Sequence, residues 1–189
     1  MKIFFFVISL FSSTIFSAEG EPCGDYLSSD GLHRGICEEA DTDYLDKASL
    51  QKGAKMFMNY CYGCHSLKYA RFNRVAKDLG IPEDLFKKHL LFGDQKMGDL
   101  MTISMDQSEA KDWFGVAPPD LTLEVSLRGA DWLYTYLISF YEDESRPLGV
   151  NNKVLENVGM PHVLSNLQGL QKSICKQVSQ SASNGGLKQ

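Results

Sequence analysis

Basic residues are in the minority in this sequence. Lys and Arg number 19 against 24 Asp and Glu, a formal net charge of −5. A surface of that sign repels phosphate, which excludes nucleic acid as a partner and favours a basic partner protein. Beyond the N-terminal region no apolar run approaches the roughly 20 residues that a bilayer span needs. Histidine is scarce, with four in all. Three of them, His33, His89 and His162, stand far apart, so a zinc site built on the cysteines lacks further ligands at suitable spacing. There is no internal repeat and no regular succession of strand-like segments, which excludes repeat arrays and all-β architectures. The hydrophobic content of 43% over 189 residues still suffices for one domain with its own core.

The first residues read as an export signal. Lys2 precedes a mostly apolar stretch from Ile3 to Phe16, and Phe16-Ser17-Ala18 offers small residues for cleavage after Ala18. An uncleaved anchor is the alternative, but the apolar run is short for a span. Export places the five cysteines in an oxidising compartment. Cys23 and Cys37 bracket a Gly- and Ser-containing loop and are placed for a local disulfide, which leaves Cys175 odd.

Residues 19–46 form an acidic, glycine-containing lead-in. Its charge-dense stretch, Glu38, Glu39, Asp41, Asp43 and Asp46, reads as a solvated loop rather than a docking patch. Ser49 is the expected cap of a helix whose inner face carries Leu50, Ala54, Phe57 and Met58. A second helix opens at Pro82-Glu83-Asp84 and is expected to turn Leu85, Phe86, His89 and Leu90 inward. Asp106 to Trp113 is a third, short helix, and Pro118-Pro119 breaks the chain. Ala130 to Phe140 reads as a largely buried helix, and Asn151 to Pro161 as loop. The Ser-, Gly- and Gln-rich end, within residues 173–189, reads as a polar, disordered tail. The fold class is mainly α.

Cys61-Tyr62-Gly63-Cys64-His65 is a C-x-x-C-H segment, the signature of c-type haem attachment. Two cysteines three positions apart reach two vinyl groups on one porphyrin edge, and a histidine directly after the second lies under the iron. A thioredoxin-type redox pair shares the C-x-x-C spacing but sits between a strand and a helix, whereas this pair follows a helix. His65 is therefore one axial ligand. For the other, Met97, Met101 and Met105 recur every four residues as a core stripe does, and His89 falls on an apolar helix face. Met160 lies between Gly159 and Pro161 in a loop able to hold a thioether rigidly, with His162 the next candidate.

The wording around these residues resembles a known family. Cys61 to Tyr69 resembles the haem-attachment segment of cytochrome c1, the haem subunit of the ubiquinol–cytochrome c reductase (cytochrome bc1) complex. Trp113-Phe114-Gly115-Val116-Ala117-Pro118-Pro119-Asp120-Leu121 is similar to the family's proline-containing haem-edge segment, and Arg128 to Leu137 to the helix that follows it. Gly149-Val150-Asn151-Asn152 and Asn157 to Leu164 resemble the axial-methionine region of bacterial members. The likeness runs from about Lys47 to Leu170.

The resemblance implies a cytochrome c-like haem domain over residues 47–172 with long loops and one covalently bound haem c. It implies Met160 as sixth ligand, Arg128 as partner of a haem propionate, Pro118 and Pro119 as a wall against water, and Tyr69 and Arg71 at the pocket. It implies electron transfer from the Rieske iron–sulfur protein to a cytochrome c, beside cytochrome b, at the periplasmic face of the bacterial inner membrane. Family members end in a transmembrane helix, which this sequence does not show. The segment Leu164-Ser165-Asn166-Leu167 also lacks an expected aromatic residue. The competing readings are a free periplasmic c-type cytochrome and a haem-free redox or binding module built on Cys61 and Cys64.

Overall fold

The computed structural model describes residues 25–28, 31–34 and 37–172. The export signal, Cys23, Cys175 and the polar tail lie outside the described residues. In chain order the elements are β1 (Asp25–Ser28), β2 (Gly31–Arg34), α1 (Lys47–Tyr60), β3 (Leu67–Arg71), α2 (Phe72–Leu79), α3 (Glu83–His89) and β4 (Leu100–Met101). They continue with α4 (Gln107–Phe114), α5 (Glu124–Arg128), α6 (Ala130–Ile138), β5 (Phe140–Glu142), β6 (Val150–Asn152), α7 (Ser165–Gln168) and β7 (Gln171–Lys172). The strands are short. β1 pairs antiparallel with β2, β3 with β4, and β5 lies between antiparallel β6 and parallel β7. Among the described residues no helix is long and apolar enough to cross a membrane.

Two cores organise the chain. The first gathers Met58 from α1, Tyr62 just after it, Phe72 and Ala76 from α2, Phe86 and Leu90 around α3, and Met97 and Met101. Its aromatic rings meet edge-on, Tyr62 with Phe72 at 5.9 Å and Phe72 with Phe86 at 6.2 Å between centroids, a favourable geometry for ring quadrupoles. The second core gathers Trp132, Tyr136 and Phe140 with Val150 and Val158, and Met160 packs on its side.

Several elements form where local chemistry asks for them, and several differ from expectation. Helix α1 starts before Ser49: Asp46 is its cap, and its carboxylate accepts from the Ser49 backbone N–H at 3.0 Å. A carboxylate at this end also meets the positive pole of the helix dipole, so Ser49 becomes the donor instead of the cap. Helix α3 opens at Pro82, which stands at its N-cap without a side-chain bond. Helix α4 begins one residue later than expected, because Asp106 is its cap and its carboxylate accepts from the N–H groups of Ser108 and Glu109. In α3 only Phe86 and Leu90 turn inward, while Leu85 and His89 are exposed. The i, i+4 pair alone meets the core, and His89 instead joins Lys87 and Lys88 in the last turn, where cations suit the dipole.

Helix α6 ends at Ile138, because Phe140–Glu142 pairs with β6, whose Asn151 and Asn152 lie in the segment read as loop. Helix α2 was not anticipated; Phe72 and Ala76 bury one face, and Gly80 closes it in the left-handed region at φ 67°. Met97 and Met101 are buried in the first core, although no helix carries them. The acidic lead-in is tied down at one end. The backbone N–H of Glu38 donates to Thr135 Oγ1 at 2.8 Å, and that of Ala40 to Asp131 Oδ1 at 2.9 Å. Cys37, which packs against the second core, is disulfide-bonded.

Candidate haem site

The cysteine pair sits where α1 runs out. Cys61 caps the helix with its N–H on Phe57 O at 2.9 Å, and the N–H groups of Cys64 and His65 both donate to Cys61 O at 3.0 Å. One tight turn thus presents both thiols and delivers His65 directly after them. Tyr62, between the cysteines, faces the opposite way into the first core, where its hydroxyl donates to Thr102 O at 3.0 Å. Burying this residue fixes the orientation of the turn. The two thiols are half-buried and unbridged. Burial pushes the Cys61 thiol up, and the neighbouring Cys64 adds to the shift.

His65 is buried, and its Nδ1 lies 2.8 Å from the carbonyl of Pro119. A carbonyl only accepts, so Nδ1 carries the hydrogen and Nε2 keeps its lone pair. Holding the tautomer and ring plane through the distal nitrogen is how proteins orient a metal-binding imidazole. Pro119 therefore contributes its carbonyl to His65, a role its side chain does not advertise. The segment around it runs beside the residues leaving the motif. Leu121 N–H donates to Ser66 O at 2.9 Å, and Lys68 N–H to the Asp120 carboxylate at 2.8 Å. Burial raises the Asp120 pKa, but hydrogen bonds from Thr122 and from the Lys68 and Thr122 backbone outweigh it and hold the carboxyl below its usual range.

Met160 comes from the far side of the sequence to the same segment. At Gly159 an added Cβ would fall 2.7 Å from Val116 Cγ1 and 2.9 Å from Phe114 O, so only glycine lets this loop press on residues 114–116. The loop has little ladder of its own and is held by side chains instead. Asn151 Oδ1 accepts from the N–H groups of Asn152 and Asn157 at 2.9 and 3.0 Å. Asn152 Oδ1 accepts from Val154 and Leu155, and its amide donates to Tyr136 O at 2.7 Å. Both asparagines are buried. The Tyr136 hydroxyl donates to Met160 Sδ at 3.4 Å. Burial pushes the Tyr136 phenol well above the usual tyrosine range, against a weaker opposing pull from Arg128.

His162, the other candidate ligand, is also buried. It stacks on Phe140 at 4.9 Å, and its Nε2 donates to Gly169 O at 3.2 Å, with Nδ1 buried and without a partner.

Arg128 stands at the C-terminal end of α5, not at a helix start. Its Nε meets Glu124 at 2.9 Å, and its guanidinium lies 4.4 Å from the centroid of Trp132. Pro118 is half-buried and Pro119 exposed. Tyr69 and Arg71 lie on β3 with exposed side chains, and Arg71 Nη1 is engaged by Gly98 O. Tyr136, Asn151 and Asn152 lie in segments that resemble the family, but their sequence alone assigned them no role. The two adjacent asparagines just before the methionine loop were a signal, since buried amides belong to networks.

The residues suit a porphyrin. An imidazole with its distal nitrogen already held, a thioether and two thiols on one turn are the donor set of a covalently bound haem. The stretch between Trp113 and Leu127 also exposes Trp113, Val116, Leu123, Val125 and Leu127, apolar surface of the kind a macrocycle covers.

Comparison with known proteins agrees with this chemistry. The family model described as "Cytochrome C1 family" matches residues 38–173. The chain is 60% identical over 137 residues to a cytochrome c1 of Allochromatium vinosum, covering 72% of this chain and 56% of that protein. It is 51% identical over 134 residues to an ammonia monooxygenase gamma subunit of Nitrosomonas europaea, covering 71% and 57%. A cytochrome c1 of Rhodospirillum rubrum is 28% identical over 117 residues, covering 52% and 43%. The chain thus spans about half the length of these curated relatives. It belongs to the cytochrome c1 family, whose members carry one covalently bound haem c, and Cys61 and Cys64 are the cysteines of its attachment segment.

Proposed function

We propose that this chain is the electron-transfer haem subunit of a ubiquinol–cytochrome c reductase, accepting electrons from a Rieske iron–sulfur protein and passing them to a cytochrome c. The observation that carries the reading is the meeting of three segments. The C-x-x-C-H turn, the Pro118-Pro119 strap that holds His65, and the Met160 loop that rests on residues 114–116 converge around one strip of chain. Here His65 and Met160 would hold the haem iron. A His/Met pair favours ferrous iron and raises the potential, as suits an electron carrier. The haem supplies a reversible one-electron change at its iron.

The chain's own residues do the rest. Cys61 and Cys64 tether the macrocycle, the Pro119 carbonyl orients His65, and the asparagine pair keeps Met160 in place. Pro118 and Pro119 shield the haem edge from water. Arg128, steadied by Glu124 and Trp132, would hold a propionate, and Tyr69 and Arg71 would stand at the rim. The fold is read as a mainly α, cytochrome c-like haem domain over residues 47–172. It follows an export signal over residues 1–18 and an acidic segment over 19–46, and it precedes a polar tail over 173–189. The site lies at the periplasmic face of the inner membrane, beside cytochrome b. Affinity purification of the tagged native protein from solubilised membranes tests the assignment. Recovery of a b-type cytochrome and an iron–sulfur protein with a c-type haem is the expected result. Recovery of the chain alone from the periplasmic fraction favours a free carrier instead.

A further inference from the structure

Helix α6 carries a stack of rings that ends at the methionine. Trp132 and Tyr136 lie parallel, 5.3 Å apart with planes 6° from one another, and Phe140 meets Tyr136 edge-on at 5.2 Å. All three rings are buried. Tyr136 is therefore clamped on both sides, and its own carbonyl is tied to the Asn152 amide at 2.7 Å, one turn of hydrogen bonds from the loop that bears Met160. Its hydroxyl has one direction left, toward Met160 Sδ at 3.4 Å. A thioether sulfur has two lone pairs. One serves a metal, and the second accepts this hydroxyl.

We propose that Tyr136 is a positioning residue for Met160: its hydroxyl donates to the thioether, fixes which lone pair is offered to the haem iron, and raises the reduction potential. The inference rests on the reading of Met160 as axial ligand. The physical basis is twofold. A hydrogen bond to sulfur withdraws electron density, and ferric iron, which needs the donation more, loses more stabilisation than ferrous iron. A donor fixed by ring packing also opposes rotation of the flexible methionine side chain away from the metal, which has three rotatable bonds to do so.

The test uses the haem-loaded chain. Tyr136→Phe keeps the ring and its stacking and removes only the hydroxyl. Tyr134→Phe, on the same helix but exposed, is the control. In Tyr136→Phe the ratio of reduced to oxidised haem at fixed poise falls by up to tenfold, about 59 mV for a one-electron couple. The same variant binds imidazole at the ferric iron several-fold more tightly, because the sulfur is easier to displace. Tyr134→Phe changes neither. If Tyr136→Phe leaves potential and imidazole affinity unchanged while Met160→Ala shifts both, the role of Tyr136 is overturned and the ligand stands. If Met160→Ala keeps the long-wavelength sulfur-to-ferric-iron charge-transfer band, the ligand assignment fails, and the role of Tyr136 with it.

Discussion

The two cores hold their parts of the site by different means. Beneath the attachment turn the packing is apolar: Met58, Phe72, Ala76, Phe86, Leu90, Met97 and Met101 close on one another, with Tyr62 as the polar-tipped member. Among the described residues His65 is the one buried polar side chain beside them, held by the Pro119 carbonyl. Around the methionine loop five buried polar side chains, Thr135, Ser139, Asn151, Asn152 and His162, stand among Trp132, Tyr136, Phe140, Val150 and Val158. The difference follows from what each core must fix. The cysteines ride on a tight turn at the end of a helix, its N–H groups already satisfied within the chain, and burial of Tyr62 orients it. The methionine rides on a loop whose backbone N–H groups need acceptors, and a buried N–H without one costs about 1–3 kcal/mol. Asn151 and Asn152 supply those acceptors. The lesson is that the turn at a helix end is placed by apolar burial, with one backbone carbonyl to hold its imidazole, and the loop-borne thioether by a network of amides.

The largest expected effect lies on the attachment side. Replacing Cys61 and Cys64 together by Ala abolishes covalent haem, so acid–acetone extraction removes all colour from the protein. A chain that retains colour after this treatment breaks the assignment. Next, Phe72→Ala opens the apolar core at a fully buried ring and costs about 3–5 kcal/mol of stability by denaturant unfolding. It leaves the axial ligation spectrum of the folded holoprotein as it was. Asn152→Ala, in the other core, has the reverse profile. It removes the acceptor for two loop N–H groups, costs about 1–3 kcal/mol, and frees Met160 enough to change the ligation spectrum. If both variants affect stability and ligation alike, the division between the cores is wrong. The smallest effect belongs to Glu124→Gln. Its partly exposed i, i+4 pair with Arg128 is worth about 0.3–0.5 kcal/mol, and a larger loss would show that the pair also supports the haem side.

The same division decides what could be read in advance. The attachment segment, the starts of α3 and α4 to within a residue, and the inward face of α1 are local features. They follow from spacings of one to four residues, and the sequence displays them directly. Met160 was legible through its glycine and proline, and Gly159 is needed because the loop touches Phe114 and Val116, which are distant in sequence. What stayed hidden depends on partners far along the chain. The strand at Val150–Asn152 exists because Phe140–Glu142 pairs with it, and that pairing also shortens α6. Helix α2 is short, and Phe72 and Ala76 mark its inner face only once the first core is assembled. His89 was misjudged because helical spacing alone does not tell which edge of a short helix meets the core. The hold of Pro119 on His65 spans 54 residues and uses a backbone carbonyl, which carries no residue-specific signal.

The central claim is that the imidazole of His65 and the thioether of Met160 face one covalently held haem. Near-infrared magnetic circular dichroism of the ferric haem-loaded chain tests it most directly. The parent protein shows the sulfur-to-iron charge-transfer signature of a histidine–methionine pair, and Met160→Ala loses it. A bis-histidine signature in the parent, abolished by replacing His162 and untouched by replacing Met160, would contradict it.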